Sequence, residues 1–173
     1  MNRLAALMLL LLAAVPAPAA LAKPITLLEL REAFTSRGIN VPQVAYLDGH
    51  PVMSGYMLGQ NFEAILSDCA GEEKACESVR FVSCREMPGQ SRIEALEIAN
   101  TYNTGYKDGA AYADEKWFGQ VVCLKMTRTF RDEEEFGLDQ IFDWQITLED
   151  FLQDMDDAET DTLAANVLDK DTD

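Results

Sequence analysis

The chain has 173 residues, of which 48% are hydrophobic, and carries 30 Asp and Glu against 14 Lys and Arg, a formal charge of −16. That length suits one domain, and the shortage of clustered Lys and Arg excludes nucleic acid and anionic lipid surfaces as natural partners. The acidity is uneven: residues 132–173 hold sixteen acids and one Lys, whereas residues 23–131 hold fourteen acids and twelve bases.

At the N-terminus, Asn2 and Arg3 precede an almost unbroken Leu and Ala run from Leu4 to Val15, and Ala20-Leu21-Ala22 forms an A-x-A end before Lys23. This is the three-part pattern of a secretory signal. The apolar run is shorter than the roughly 20 residues a spanning helix needs, so an uncleaved anchor is the weaker reading. We expect residues 1–22 to be a cleaved signal peptide, a periplasmic location, and no membrane span in the mature chain.

Thr26 and Glu29 stand at capping-box positions, with Ile25 and Leu30 as the staple. Leu27, Leu30 and Phe34 recur at helical spacing and Gly38 suits the stop, which predicts a helix over about 27–37. Strands follow at Gln43–Asp48, at Val52–Leu58 and Asn61–Ser67 (one bent strand or two, around Gly59), and at Ser78–Ser83. A second capping box, Ser91 with Glu94, opens a helix that ends near Gly105. Its predicted dry face holds Ile93, Leu96, Ala99 and Asn103. Two more strands read from Ala110–Glu115 and Gly119–Thr129, where Val121-Val122-Cys123-Leu124 is the most strand-like run. The last helix is predicted over about 134–155, with residues 23–156 forming the domain and 157–173 a disordered acidic tail. The fold class is α+β, an antiparallel sheet with helices packed on it, in the order α-β-β-β-α-β-β-α.

Three features in this order carry a family resemblance. Gly59-x-x-Phe62 leads to Cys69 and Cys76 and then to Ser78-Val79-Arg80-Phe81; Asn100-x-Tyr102-Asn103 closes the second helix; Trp144, Leu148 and Phe151 lie on the last. From about Asp48 to Met155 the chain resembles the YbjN-type family, often described as bacterial sensory-transduction regulators. The resemblance implies a fold like that of type III secretion chaperones and a regulatory or interaction role, with no reaction attached.

Cys69 and Cys76 bracket a short loop, which in an exported protein reads as a disulfide rather than a redox-active pair. Cys84 and Cys123 either form a second bridge or remain two buried thiols. His50 is the single histidine. It excludes centres that need two His ligands, and without a Gly-x-Ser-x-Gly elbow a hydrolase triad has no support. His50, Met53 and Met57 have donor types that suit Cu(I), but the even spacing of the two Met makes core filling the plain account. Asp169-x-Asp171-x-Asp173 copies the opening of a calcium loop without its Gly or distal Glu. No catalytic residue, metal or cofactor is expected.

The expected function is a non-enzymatic exported interaction or regulatory module that binds a protein or peptide partner, or a second copy of itself. The alternative is a periplasmic enzyme or metal-handling protein with an unrecognised site. Asn100, Tyr102 and Asn103 either satisfy backbone groups or contact a partner. On the last helix, Leu138, Ile141, Leu148 and Leu152 make one face, and Phe136, Phe142, Trp144 and Phe151 widen it beyond one buried stripe. Phe136 and Phe142 are the rings expected at the surface, as partner contacts.

Overall fold

Thr26 and Ser91 each accept a hydrogen bond from the amide three residues on while Glu29 and Glu94 return to the cap amides, so both expected capping boxes form. They open helices α1 (Leu27–Ser36) and α2 (Arg92–Thr104). The structure is a computed structural model that describes residues 24–71, 75–105, 107–116, 119–130 and 137–170, with backbone alone for 161–170. The expected signal peptide at 1–22 and Phe136 lie outside the described residues.

Between and after these helices run β1 (Gln43–Leu47), β2 (His50–Met57), β3 (Gln60–Ala70), β4 (Ala75–Glu86), β5 (Ala110–Lys116), β6 (Gly119–Thr129) and α3 (Leu138–Lys170). The six strands form one antiparallel sheet in the order β1-β2-β3-β4-β6-β5. The stretch around Gly59 is two strands, which makes four before α2. Asp48-Gly49 and Leu58-Gly59 turn the first two hairpins, with φ of 51° and 84° in one and 52° and 81° in the other. Two-residue loops with positive φ at both positions match the twist of the flanking strands.

The core lies between the helices and one face of the sheet. Met53, Met57, Phe62, Ala64, Leu66, Val79, Phe81, Val122, Leu124 and Met126 point into it from the strands, meeting Leu30 and Phe34 of α1 and Ile141, Trp144, Leu148, Phe151 and Met155 of α3. Its rings interlock, with Phe81 stacked on Trp144 at 5.3 Å between centroids and Phe34 tilted on Phe62 at 5.1 Å. Gly55 permits this packing: a Cβ there would sit 2.6 Å from the Phe62 ring and 2.8 Å from Val41.

Two expectations need correction. The dry face of α2 is Ala95, Ala99 and Tyr102, while Ile93 and Leu96 are exposed. The small Ala side chains let the helix lie close to β5 and β6. The last helix does not end near residue 155 before a disordered tail; it starts at Leu138 and runs to Lys170. Arg85 on β4 holds it past that point, reaching the Leu152 carbonyl and the carboxylates of Asp156 and Glu159. No Gly or Pro interrupts residues 156–170. Residues 171–173 lie outside the described residues.

Candidate functional site

Pleating sends alternate residues of every strand to the second face of the sheet. The pairing register sets Val52, Ile65, Arg80 and Thr127 in one row across β2, β3, β4 and β6. Ser54, Glu63, Val82 and Lys125 make the next row, and Cys84, Cys123 and Tyr112 the one after. Among the described residues the lining of this face comes from strands and from the loop after α1, and no helix contributes. It forms a concavity of about 1220 Å³ open to solvent.

The floor of this face is dry. Val52 and Ile65 are 5% and 8% exposed, and Val121 and Cys123 are buried, yet none of the four belongs to the core under the helices. They form a second apolar layer. Tyr56 and Tyr112 stand above it at 59% and 39% exposure, with Arg80, Lys125, Glu63 and Lys116 exposed around them.

The cations differ by face. Under the helices, Arg128 meets Asp108 at 3.3 Å and Asp143 at 3.5 Å, Lys107 meets Asp154 at 2.8 Å, and Arg85 meets Asp156 and Glu159. On the second face Lys116 meets Asp114 at 2.6 Å, but Arg80 and Lys125 make no ion pair with a described residue. The bond between Lys116 and Asp114 raises the Lys116 pKa and lowers that of Asp114. Burial raises the Tyr112 phenol and the Asp114 carboxylate adds to it, against smaller opposing effects of Lys116 and Arg80. Tyr112 therefore keeps its proton at neutral pH and can donate it in a hydrogen bond.

The four cysteines form two disulfides, Cys69–Cys76 and Cys84–Cys123, a pattern that fits an oxidising environment. The second one settles the open choice for that pair and lies in the floor of the concavity. Met53 and Met57 are buried in the core and His50 is exposed at the β1–β2 turn, so the copper-type donors do not converge. Among the described residues no group of three or more His, Cys, Asp or Glu is placed to hold a metal.

The other expected site residues are elsewhere. Tyr102 is completely buried against Phe151 and donates to the Asp108 carbonyl, so its side chain is core and not a partner contact. Burial, with Asp150 and the neighbouring Asp154 and Asp108, pushes its phenol far above the usual range. Asn103 accepts from the Ala111 amide at 2.8 Å and donates to the Ala111 carbonyl at 2.9 Å. It thus takes the place of a missing neighbour along the edge strand β5, which is the backbone-satisfying role. Asn100 is exposed on α2. Phe142 is 46% exposed on α3, under the Arg37 guanidinium at 5.2 Å. None of these residues lines the concavity.

Sequence reasoning passed over Arg80, Lys125, Tyr56, Tyr112 and Glu63. One signal was present: an unbroken apolar run such as Val121–Leu124 dries both faces of its strand, which a sheet with one solvated face does not need. No family model matches the chain, and no curated protein matches it. Among the described residues no helix is long and apolar enough to cross a membrane.

Proposed function

We propose that this is a non-enzymatic exported module of YbjN type, located in the periplasm, that binds a protein or peptide partner through the second face of its sheet. The observation that carries the reading is the dry layer of Val52, Ile65, Val121 and the Cys84–Cys123 bridge outside the main core. Half-buried Val82 and the exposed Tyr56 and Tyr112 carry this layer up to solvent, and aromatic side chains over an apolar base are enriched at interaction sites. The concavity supports the same role because it is broad and open, and its titratable groups are mostly cations and phenols. Among the described residues Glu63 is the single carboxylate that lines it, whereas general acid–base chemistry calls for a paired donor and acceptor about the reacting bond.

Panning a random peptide library on the immobilised protein tests this. Peptides should be enriched that lose the protein when Val82→Glu or Tyr112→Ala is introduced, with both variants still unfolding cooperatively. Enriched peptides that bind both variants as well as the parent would move the site elsewhere. A stable dimer of the parent in light scattering that Val82→Glu splits would make a second copy the occupant.

A further inference from the structure

The rows of this face also specify the chemistry of what it takes. Arg80 and Lys125 are diagonal neighbours across β4 and β6, since Arg80 faces Thr127 while Lys125 faces Val82. Diagonal positions lie roughly 7–8 Å apart, within reach of one bound segment. In a chain with 30 acids for 14 bases, these two exposed cations still lack a carboxylate partner among the described residues. Four acids of α3, Asp143, Asp154, Asp156 and Glu159, pair instead with cations on the helix side. Sheet and helix layers stand about 10 Å apart, near one screening length at physiological salt.

We infer that this face takes an extended polypeptide segment that alternates acidic and apolar residues, its carboxylates on Arg80 and Lys125 and its apolar side chains on Val82, Tyr56 and Tyr112. The inference rests on the partner-binding reading above. Volume favours a polymer: about 1220 Å³ exceeds the roughly 300–1,000 Å³ typical of small-ligand pockets. The apolar floor favours polypeptide over acidic polysaccharide, which has no side chains to bury there. A carboxylate on guanidinium or ammonium gains charge-assisted hydrogen bonds, and the retained Tyr112 proton offers a further donor beside them. Glu63, in the same row as Lys125, repels a carboxylate placed beside it, so the acidic residues of the segment are confined to the Arg80 and Lys125 side of the face.

Fluorescence anisotropy with labelled peptides on the full disulfide-bonded protein decides the matter. The probes are a decapeptide alternating Glu and Val, its Gln counterpart, its Lys counterpart and a uronate oligosaccharide. The Glu peptide should bind, the Gln peptide about tenfold more weakly, and the Lys peptide and the sugar not measurably. Arg80→Gln and Lys125→Gln should each weaken the Glu peptide about fivefold, whereas Arg92→Gln, outside the concavity, should leave it unchanged. Arg80→Glu with Lys125→Glu should exchange the preference, so that the Lys peptide binds. Equal binding of Glu and Gln peptides, or indifference to both Gln variants, overturns the acidic specificity. If Val82→Glu still abolishes that binding, the partner-binding reading survives. Binding of the sugar alone, with the same Arg80 dependence, overturns the polypeptide class. If every peptide fails, both the inference and the partner-binding reading fall.

Discussion

The two faces of this sheet are made by the same strands and differ in almost every physical respect. On the helix side, aromatic rings interlock and Arg85, Lys107 and Arg128 each have a carboxylate partner. On the other side a thin apolar layer lies under exposed tyrosines, and Arg80 and Lys125 stand without an ion pair among the described residues. Strand β4 shows the division most clearly. Phe81 and Arg85 belong to the folded core and its helix, while Val82 and Arg80, one residue away or five, belong to the concavity. One pleat therefore separates residues packed under the helices from residues that face the open concavity.

The strongest way to break this contrast is to truncate both faces of β4. Phe81→Ala should cost about 3–5 kcal/mol, because the ring is fully buried and stacked on Trp144. Val82→Ala should cost about 1 kcal/mol, since half-buried floor loses less area. Urea midpoints measure both, and equal costs would mean that the second face is as much a core as the first.

The disulfides come next. Cys84–Cys123 closes a separation of 39 residues and Cys69–Cys76 one of 7. On the chain-entropy account, replacing the former pair by Ser should cost about 4 kcal/mol and the latter about 2.5 kcal/mol. The same denaturation series gives the order. A smaller loss from the bridge in the concavity floor would show that it serves the binding face more than the fold.

The two tyrosines whose phenols are raised sharpen the comparison through pH. The unfolded chain releases a phenol proton near pH 10, while folded Tyr102 holds its proton well beyond that. Above about pH 10 the folded state thus binds one proton more than the unfolded state. Stability present below that pH falls by about 1.4 kcal/mol per unit as pH rises. Tyr102→Phe should remove this slope. Tyr112→Phe on the open face should alter it far less, because that ring is 39% exposed. Denaturation midpoints followed from neutral to alkaline pH separate the two, and an unchanged slope in Tyr102→Phe would assign alkaline unfolding to other groups.

The smallest effect concerns the two arginines of β4. Arg85→Ala should cost about 0.5–1 kcal/mol, since its partners Asp156 and Glu159 are substantially exposed. Faster amide exchange beyond residue 155 should accompany the loss as α3 is released from β4. Arg80→Ala should stay within about 0.5 kcal/mol and leave exchange in α3 unchanged. Equal exchange in the two variants would show that Arg85 does not hold the helix.

Much of the fold was written locally. Capping boxes at Thr26 and Ser91 were legible because each uses atoms three residues apart. The α+β class followed from short connections between consecutive strands, and a link between Cys69 and Cys76 from their closeness in the chain. The anchoring of α3 past residue 155 was not local, since Asp156 and Glu159 meet Arg85 of a strand some seventy residues earlier. The burial of Tyr102 was also hidden: its helix carried Ile93 and Leu96 as larger apolar signals, and only the close approach to β5 turned the Ala side inward.

The candidate site belongs wholly to this second kind. Sequence alone determined how acidic the chain is, where its first two helices begin, which stretches alternate or run apolar, and that the chain has a single histidine. It could not place Arg80 beside Lys125, 45 positions away, or set Tyr112 in the row of the Cys84–Cys123 bridge. Those neighbours follow from register: β6 returns between β4 and β5, and a shift of one residue would have sent every one of these side chains to the opposite face.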